Sequence, residues 1–250
     1  MSFWSWFHRK PKPTPIPVPA PPVSSMPVGD LPGWKQIFTE DFKTDAPLGT
    51  FATMYPSWGN YPYPWQDTSK QGYYYPEKTL NVSNSALSAN LHYDSNLNRL
   101  LVAAPCPPLT QPVLYGKFVV RARVSTVAAG YKLAFLLWPV SEKWPDDGEI
   151  DMVEGDVSSP MHAYAHHASP LGGQDGFSYG VDQTQWHVYE LRWLPNRVEF
   201  LVDGVSVGVS TVGVPSKPMR WVLQMESSPP VQQASGARVD VDWVAAYRMV

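Results

Sequence analysis

Cysteine is nearly missing from these 250 residues, with Cys106 as the one example. A lone thiol excludes an intramolecular disulfide framework and makes a cysteine-ligated metal site implausible. Long apolar runs are missing too. The apolar piece near the start, Phe3 to Phe7, falls far short of the roughly 18 residues of a membrane-spanning helix, so no transmembrane segment is expected. Charge of one sign is scarce: 19 Lys and Arg stand against 22 Asp and Glu, for a net charge of -3. That balance lacks the electrostatic footprint of a nucleic-acid partner or of an acidic membrane surface. Sustained helical periodicity is also hard to find, which turns attention to strands.

Proline is what the N-terminus has in quantity. Between Pro11 and Pro22 it alternates with other residues, a pattern that favours an extended polyproline II spacer. The basic residues His8, Arg9, Lys10 and Lys12 follow the apolar piece, whereas a secretory signal places its charges first. Residues 1–30 therefore read as a tail and semi-rigid linker, either a tether or partner-binding peptide or an unstructured extension. Residues 31–250 read as one domain, expected to be monomeric, and the compartment is left open.

From Leu31 the chain consists of short apolar runs broken by Gly, Pro, Asn and Asp. Period-two alternation recurs and is clearest near the end in "ARVDVDWVAAYRMV". There Val239, Val241, Trp243, Ala245 and Tyr247 are expected to share one face of a strand. "WHVYELRW" and "RVEFLVDGVSVG" read as consecutive strands, with Asp203-Gly204 as a hairpin turn, because Gly accepts the positive φ such turns require. Many short strands separated by polar turns, with no helices between them, predict two packed antiparallel sheets, a β-sandwich.

The stretch "KWPDDGEIDMVEGD" holds six acidic residues in fourteen. On a strand, Glu149 and Asp151 emerge on the same face. Glu154 is an odd five residues from Glu149, so a regular strand points it to the opposite side. One extra residue near Met152-Val153, a β-bulge, returns it to the shared face. The two glutamate backbones are then about 13 Å apart. Side chains leaning together can close to about 5 Å, the separation of a retaining glycosidase. One carboxylate would attack the anomeric carbon and the other would protonate the leaving oxygen, with the middle aspartate keeping their pKa values apart. The bland alternative is an edge strand with an acidic solvent face.

These residues resemble glycoside hydrolase family 16. "GEIDMVEGD" is similar to its E-x-D-x-x-E signature in the bulge-containing form typical of laminarinase-like endo-β-1,3-glucanases, agarases and carrageenases. "YGKFVVRARV", "MHAYAHHA", "WHVYELRWLPNRVEFLVDG" and "VDVDWVAAY" resemble further family blocks, in the family's order from about residue 36 to 250. The resemblance implies an all-β, concanavalin-like jelly roll with a substrate cleft on its concave sheet. It also implies Glu149 as nucleophile, Asp151 as assisting carboxylate and Glu154 as general acid/base, with no cofactor required for catalysis.

The implied activity is a retaining endo-β-glycoside hydrolase on a β-linked polysaccharide, foremost β-1,3-glucan. Transglycosylation, a galactan substrate, or a non-catalytic carbohydrate-binding module on the same fold are the alternatives. Trp138 and Trp144 flank the acids and suit the apolar faces of pyranoses. Trp58 and Trp65, in an aromatic loop, are expected to wall the cleft. Arg121 is expected either to bond sugar hydroxyls or to form a structural ion pair. His162, Tyr164 and His166 share a strand face, with His166 implied to approach the acids, and Gln224 is expected to contact a hydroxyl in preference to Glu226. Asp242 matches a position that in the family takes part in a structural calcium site, which would need six to eight oxygens.

Overall fold

A computed structural model describes residues 25–228 and 236–250. The first 24 residues, which hold the Pro-rich alternation, lie outside the described residues.

Among the described residues, ten strands form the larger sheet. Their order is β15 (Val205–Ser210), β14 (Arg197–Val202), β13 (His187–Leu194), β8 (Gly116–Thr126), β17 (Ala237–Met249), β5 (Ala86–Asp94), β6 (Arg99–Val102) and β3 (Gly72–Tyr74). Off this path, β1 (Trp34–Glu40) pairs with β17 and β4 (Leu80–Ser83) with β5. Five strands form the second sheet, in the order β12 (Gln174–Ser178), β11 (His162–His166), β10 (Glu149–Asp156), β9 (Tyr131–Pro139) and β16 (Met219–Ser227). A short ladder joins β2 (Gly59–Asn60) to β7 (Pro105–Cys106), and α1 (Phe51–Met54) and α2 (Pro76–Thr79) are single helical turns. This is the expected jelly-roll sandwich. Among the described residues, no helix is long and apolar enough to cross a membrane.

Alternation explains the layers. On β9, Leu133, Phe135 and Leu137 are buried in the inter-sheet core, and β16 adds Trp221, Leu223 and Met225. The intervening residues of both strands, such as Ala134, Trp138 and Gln224, line a cleft on the other face of the five-stranded sheet. The Asp203-Gly204 turn closes β14 onto β15 with φ of 49° and 79°, the left-handed pair that a two-residue hairpin needs.

The closing strand departs from the expected alternation. The register of β17 against β8 shifts between Val241 and Trp243, and this irregularity reverses the faces. Val239 and Val241 point into the main core, followed by Val244 and Ala246. Trp243, Ala245 and Tyr247 instead form a separate cluster with Val119 on the outer face of the larger sheet. That cluster is covered by Met26, Leu31 and Trp34. Gln36 pins the same segment, donating from Nε2 to the Pro27 carbonyl (2.9 Å) and to the Tyr247 hydroxyl (3.0 Å), and accepting from the Gly29 N–H (2.8 Å). Met26, ahead of residue 31, thus packs onto the sandwich, because apolar residues of the outer face need a cover.

Candidate active site

The acidic strand carries the bulge that its residue count requires. Opposite β11, Glu149 pairs with His166, Asp151 with Tyr164 and Glu154 with His162. The partner strand advances four residues, 166 to 162, while β10 advances five, 149 to 154. Against β9 the same shift falls between Asp151 and Val153, so Met152 is the extra residue. Both Met152 and Val153 consequently enter the inter-sheet core with Ile150, and all three carboxylates line the cleft. The apolar residues anchor the strand while the acids face outward.

Gly148 allows the turn into this strand. Its φ is +73°, and a Cβ there would lie 2.7 Å from the His166 carbonyl oxygen and 2.7 Å from Pro215 Cγ. Only glycine meets both conditions without displacing the paired backbone.

Burial in a partly dry cleft raises the pKa values of all three carboxylates, and neighbouring carboxylates add to it. Burial, with the Asp151 charge adding, pushes Glu149 up to about 8. Asp151 is only 2 % exposed, and burial together with the Glu154 charge drives it well above the usual carboxylate range. Burial also raises Glu154, against the pull of the Lys132 ammonium. The Lys132 ammonium and the neighbouring Glu149 pull Asp151 back down without offsetting its burial. The Trp144 indole pulls Glu149 back down, but burial outweighs it. His166 Nε2 stands 3.0 Å from Asp151 Oδ2 and 3.9 Å from Glu149 Oε2. The Asp151 oxygen lacks an aligned hydrogen bond, so the contact is one of proximity rather than direction.

Glu149, Asp151 and His166 each offer a ligand atom within 4.8 Å of the others. Three donors fall well short of the six to eight oxygens of a calcium site.

The family model for glycosyl hydrolases family 16 matches residues 77–245, a span that includes the whole acidic strand and more than half of the chain. The chain belongs to glycosyl hydrolase family 16. A beta-glucanase of Rhodothermus marinus is 33% identical over 100 residues, which cover 36% of this chain and 35% of that protein. The match thus spans about a third of that relative's length. Among solved structures, the laminarinase from Rhodothermus marinus superposes with a TM-score of 0.71 at 22% identity, covering 87% of this chain and 98% of the other. A variant of LamA from Z. galactanivorans, in complex with laminaritriose and laminaritetraose, gives 0.70 at 17% identity over 85% and 98%. These structures share the sandwich of this family 16 chain.

The family 16 cleft encloses about 1170 Å³. Trp138 and Trp144 line it as nearly parallel rings, 6.4 Å apart and 12° from coplanar. Trp144 is 49% exposed, and Trp138 is fixed by its N–H to Glu142 Oε2 at 2.8 Å. The tryptophan of "AFLLWP" shares the cleft face with Leu136, two residues earlier, as period two requires. Trp65, 58% exposed, lines the cleft from the opposite loop. His166, Tyr164 and Gln224 line it as well.

Two expectations are corrected. Trp58 is 6% exposed and sits in the core among Phe38, Phe42 and Phe51, because the chain turns inward there before β2. Arg121 lies on β8 of the larger sheet, away from the cleft, and its partner is Asp242. Its guanidinium and that of Arg123 lie 4.8 and 4.6 Å from the Trp186 ring, so the structural ion pair prevails over sugar contact. Asp242 is the other half of that pair.

Sequence reasoning missed the cleft floor. Glu226, ranked below Gln224, is 1% exposed and accepts from Tyr74 Oη at 2.7 Å, from Thr68 N at 3.1 Å and from Gln224. Lys132 Nζ sits 3.0 Å from it. Burial alone would raise the Glu226 carboxyl, but Lys132 and the Thr68 and Tyr74 hydroxyls hold it below the ordinary range. Lys132 was legible, since period two along β9 puts it on the face of Ala134 and Trp138. Tyr74 comes from a loop-flanked three-residue strand with no such signal.

Proposed function

We propose that this chain is a retaining, endo-acting β-glycoside hydrolase that cuts β-1,3-linked glucan by double displacement. The observation that carries the reading is the bulge that sets Glu149, Asp151 and Glu154 on one face of a cleft. The similarity to a beta-glucanase and the shared fold with a laminarinase and a laminaritetraose-bound LamA point to the substrate class.

In the first step a Glu149 oxygen attacks the anomeric carbon as the glycosidic bond breaks, and Glu154 gives its proton to the leaving oxygen. In the second, Glu154 takes a proton from water, whose oxygen displaces Glu149 and restores the β configuration. A raised Glu154 pKa suits a group that must arrive protonated near neutral pH. Glu149 attacks as the carboxylate, with Asp151 beside it on the same face as the assisting carboxyl. The chemistry closes with carboxyls and water, without a cofactor. Parallel Trp138 and Trp144 rings offer the apolar face of a pyranose a platform beside the acids.

Charge in the cleft favours a neutral polymer. Of the three cations lining the cleft, Lys132 is paired with Glu226 and Arg220 with Glu142, which leaves Lys70 as the third against a larger number of lining carboxylates.

The test is reducing-end release from laminarin, mixed-linkage β-glucan, agarose and carrageenan, with wild type beside Glu149→Ala. Laminarin is expected to be cut by wild type and left intact by the variant. Binding of laminarin without release from any polymer would overturn the catalytic reading in favour of a carbohydrate-binding module.

A further inference from the structure

A bulge takes backbone groups out of the sheet's ladders. Met152 has no partner residue on β9 or on β11, yet it is fully buried. A buried carbonyl without a donor is costly, and β10 relieves that cost most directly by returning to regular pairing. Regular pairing would remove the extra residue and turn Glu154 to the face opposite Glu149.

A donor reaches this carbonyl from the loop after β12. The Tyr179 hydroxyl donates to the Met152 carbonyl. The ring packs edge-on against Tyr189 with centroids 5.1 Å apart, and the Tyr179 N–H bonds to the Met161 carbonyl at 3.1 Å. Tyr179 is thus held at both its backbone and its ring while its hydroxyl reaches the bulge. Burial also pushes its phenol well above the usual range, so it remains a donor wherever the protein is folded.

We propose that Tyr179 is a positioning residue that locks β10 in its bulged register and so keeps Glu154 on the catalytic face. It lies in the core behind the cleft and acts only through the strand. The inference rests on the reading of Glu154 as the acid/base of the proposed hydrolase.

Tyr179→Phe removes one oxygen and leaves the ring against Tyr189. On laminarin its kcat is expected to fall about ten- to a hundredfold, the scale of impaired general-acid catalysis, with KM nearly unchanged. An aryl β-laminaribioside with a 2,4-dinitrophenyl leaving group needs no proton at the leaving oxygen, so its cleavage should suffer much less. Added azide should raise turnover of that substrate. Azide attacks the anomeric carbon of the glycosyl-enzyme, displaces the Glu149 carboxylate and leaves as the β-glycosyl azide, without help from Glu154. Hydrogen exchange over residues 149–156 should quicken in the variant.

Equal losses on both substrates with no azide effect would show general damage and overturn the proposal. So would an unchanged kcat, or unchanged exchange over the strand. Exchange decides the question even if wild type proves inactive on every glucan, an outcome that would sink the hydrolase reading separately.

Discussion

Gly148 faces the backbone of His166 so closely that an added Cβ would come within 2.7 Å of its carbonyl oxygen. The glycine directly precedes Glu149, so relief of that clash must move the start of the acidic strand. Gly148→Ala is expected to lower Tm and to cut kcat on laminarin by about tenfold or more, since small misplacements of reacting groups are costly. Gly204→Ala is the control. Its φ is +79°, with no atom within 4 Å of the new Cβ, so it carries the conformational strain alone. It should lose stability while keeping kcat, and an equal kcat loss in both variants would contradict the steric argument.

Glu149 links stability to pH in a direction that follows from its raised pKa. It titrates near 4.5 in the unfolded chain and is pushed to about 8 in the fold. Between those values the folded form binds more protons than the unfolded form, so stability falls as pH rises through the window. Glu149→Gln removes the titration. The variant should melt above wild type at the alkaline end of the window, with the gap closing towards its acidic end. Parallel Tm profiles would show that the carboxyl does not carry this burden.

Trp58 and Trp65 stand seven residues apart in one aromatic stretch and should fail differently. Trp58→Ala opens a core cavity and is expected to cost about 3–5 kcal/mol of stability. Trp65→Ala strips an exposed ring from the cleft wall, so Tm should hold while KM for laminarin rises. Thermal melts with steady-state kinetics on both variants check this. A KM effect from Trp58→Ala without loss of Tm would return Trp58 to the cleft.

Much of the site was legible because direction along a strand is a local property. Counting from Glu149 to Glu154 was enough to require a bulge near Met152, and the pairing with β11 places it there. The same count placed Trp138 on the cleft face and would have placed Lys132 there too. It did not reach Tyr74 or the buried role of Glu226, which depend on a loop meeting β16 across a long stretch of chain.

By itself, then, the sequence determined the class of fold, the common face of the three acids and the period-two faces of β9. These depend on alternation within one strand. Tertiary structure decided which face meets the cleft, the core or solvent. It buried Trp58, tied Arg121 to Asp242 on the other sheet, and set Trp243 outside by a second bulge in β17 that the residue pattern did not announce. It also brought the Tyr179 hydroxyl to the Met152 carbonyl from 27 residues away. Each of those outcomes depends on which strands become neighbours, and that is settled only when the two sheets bury their apolar faces against each other.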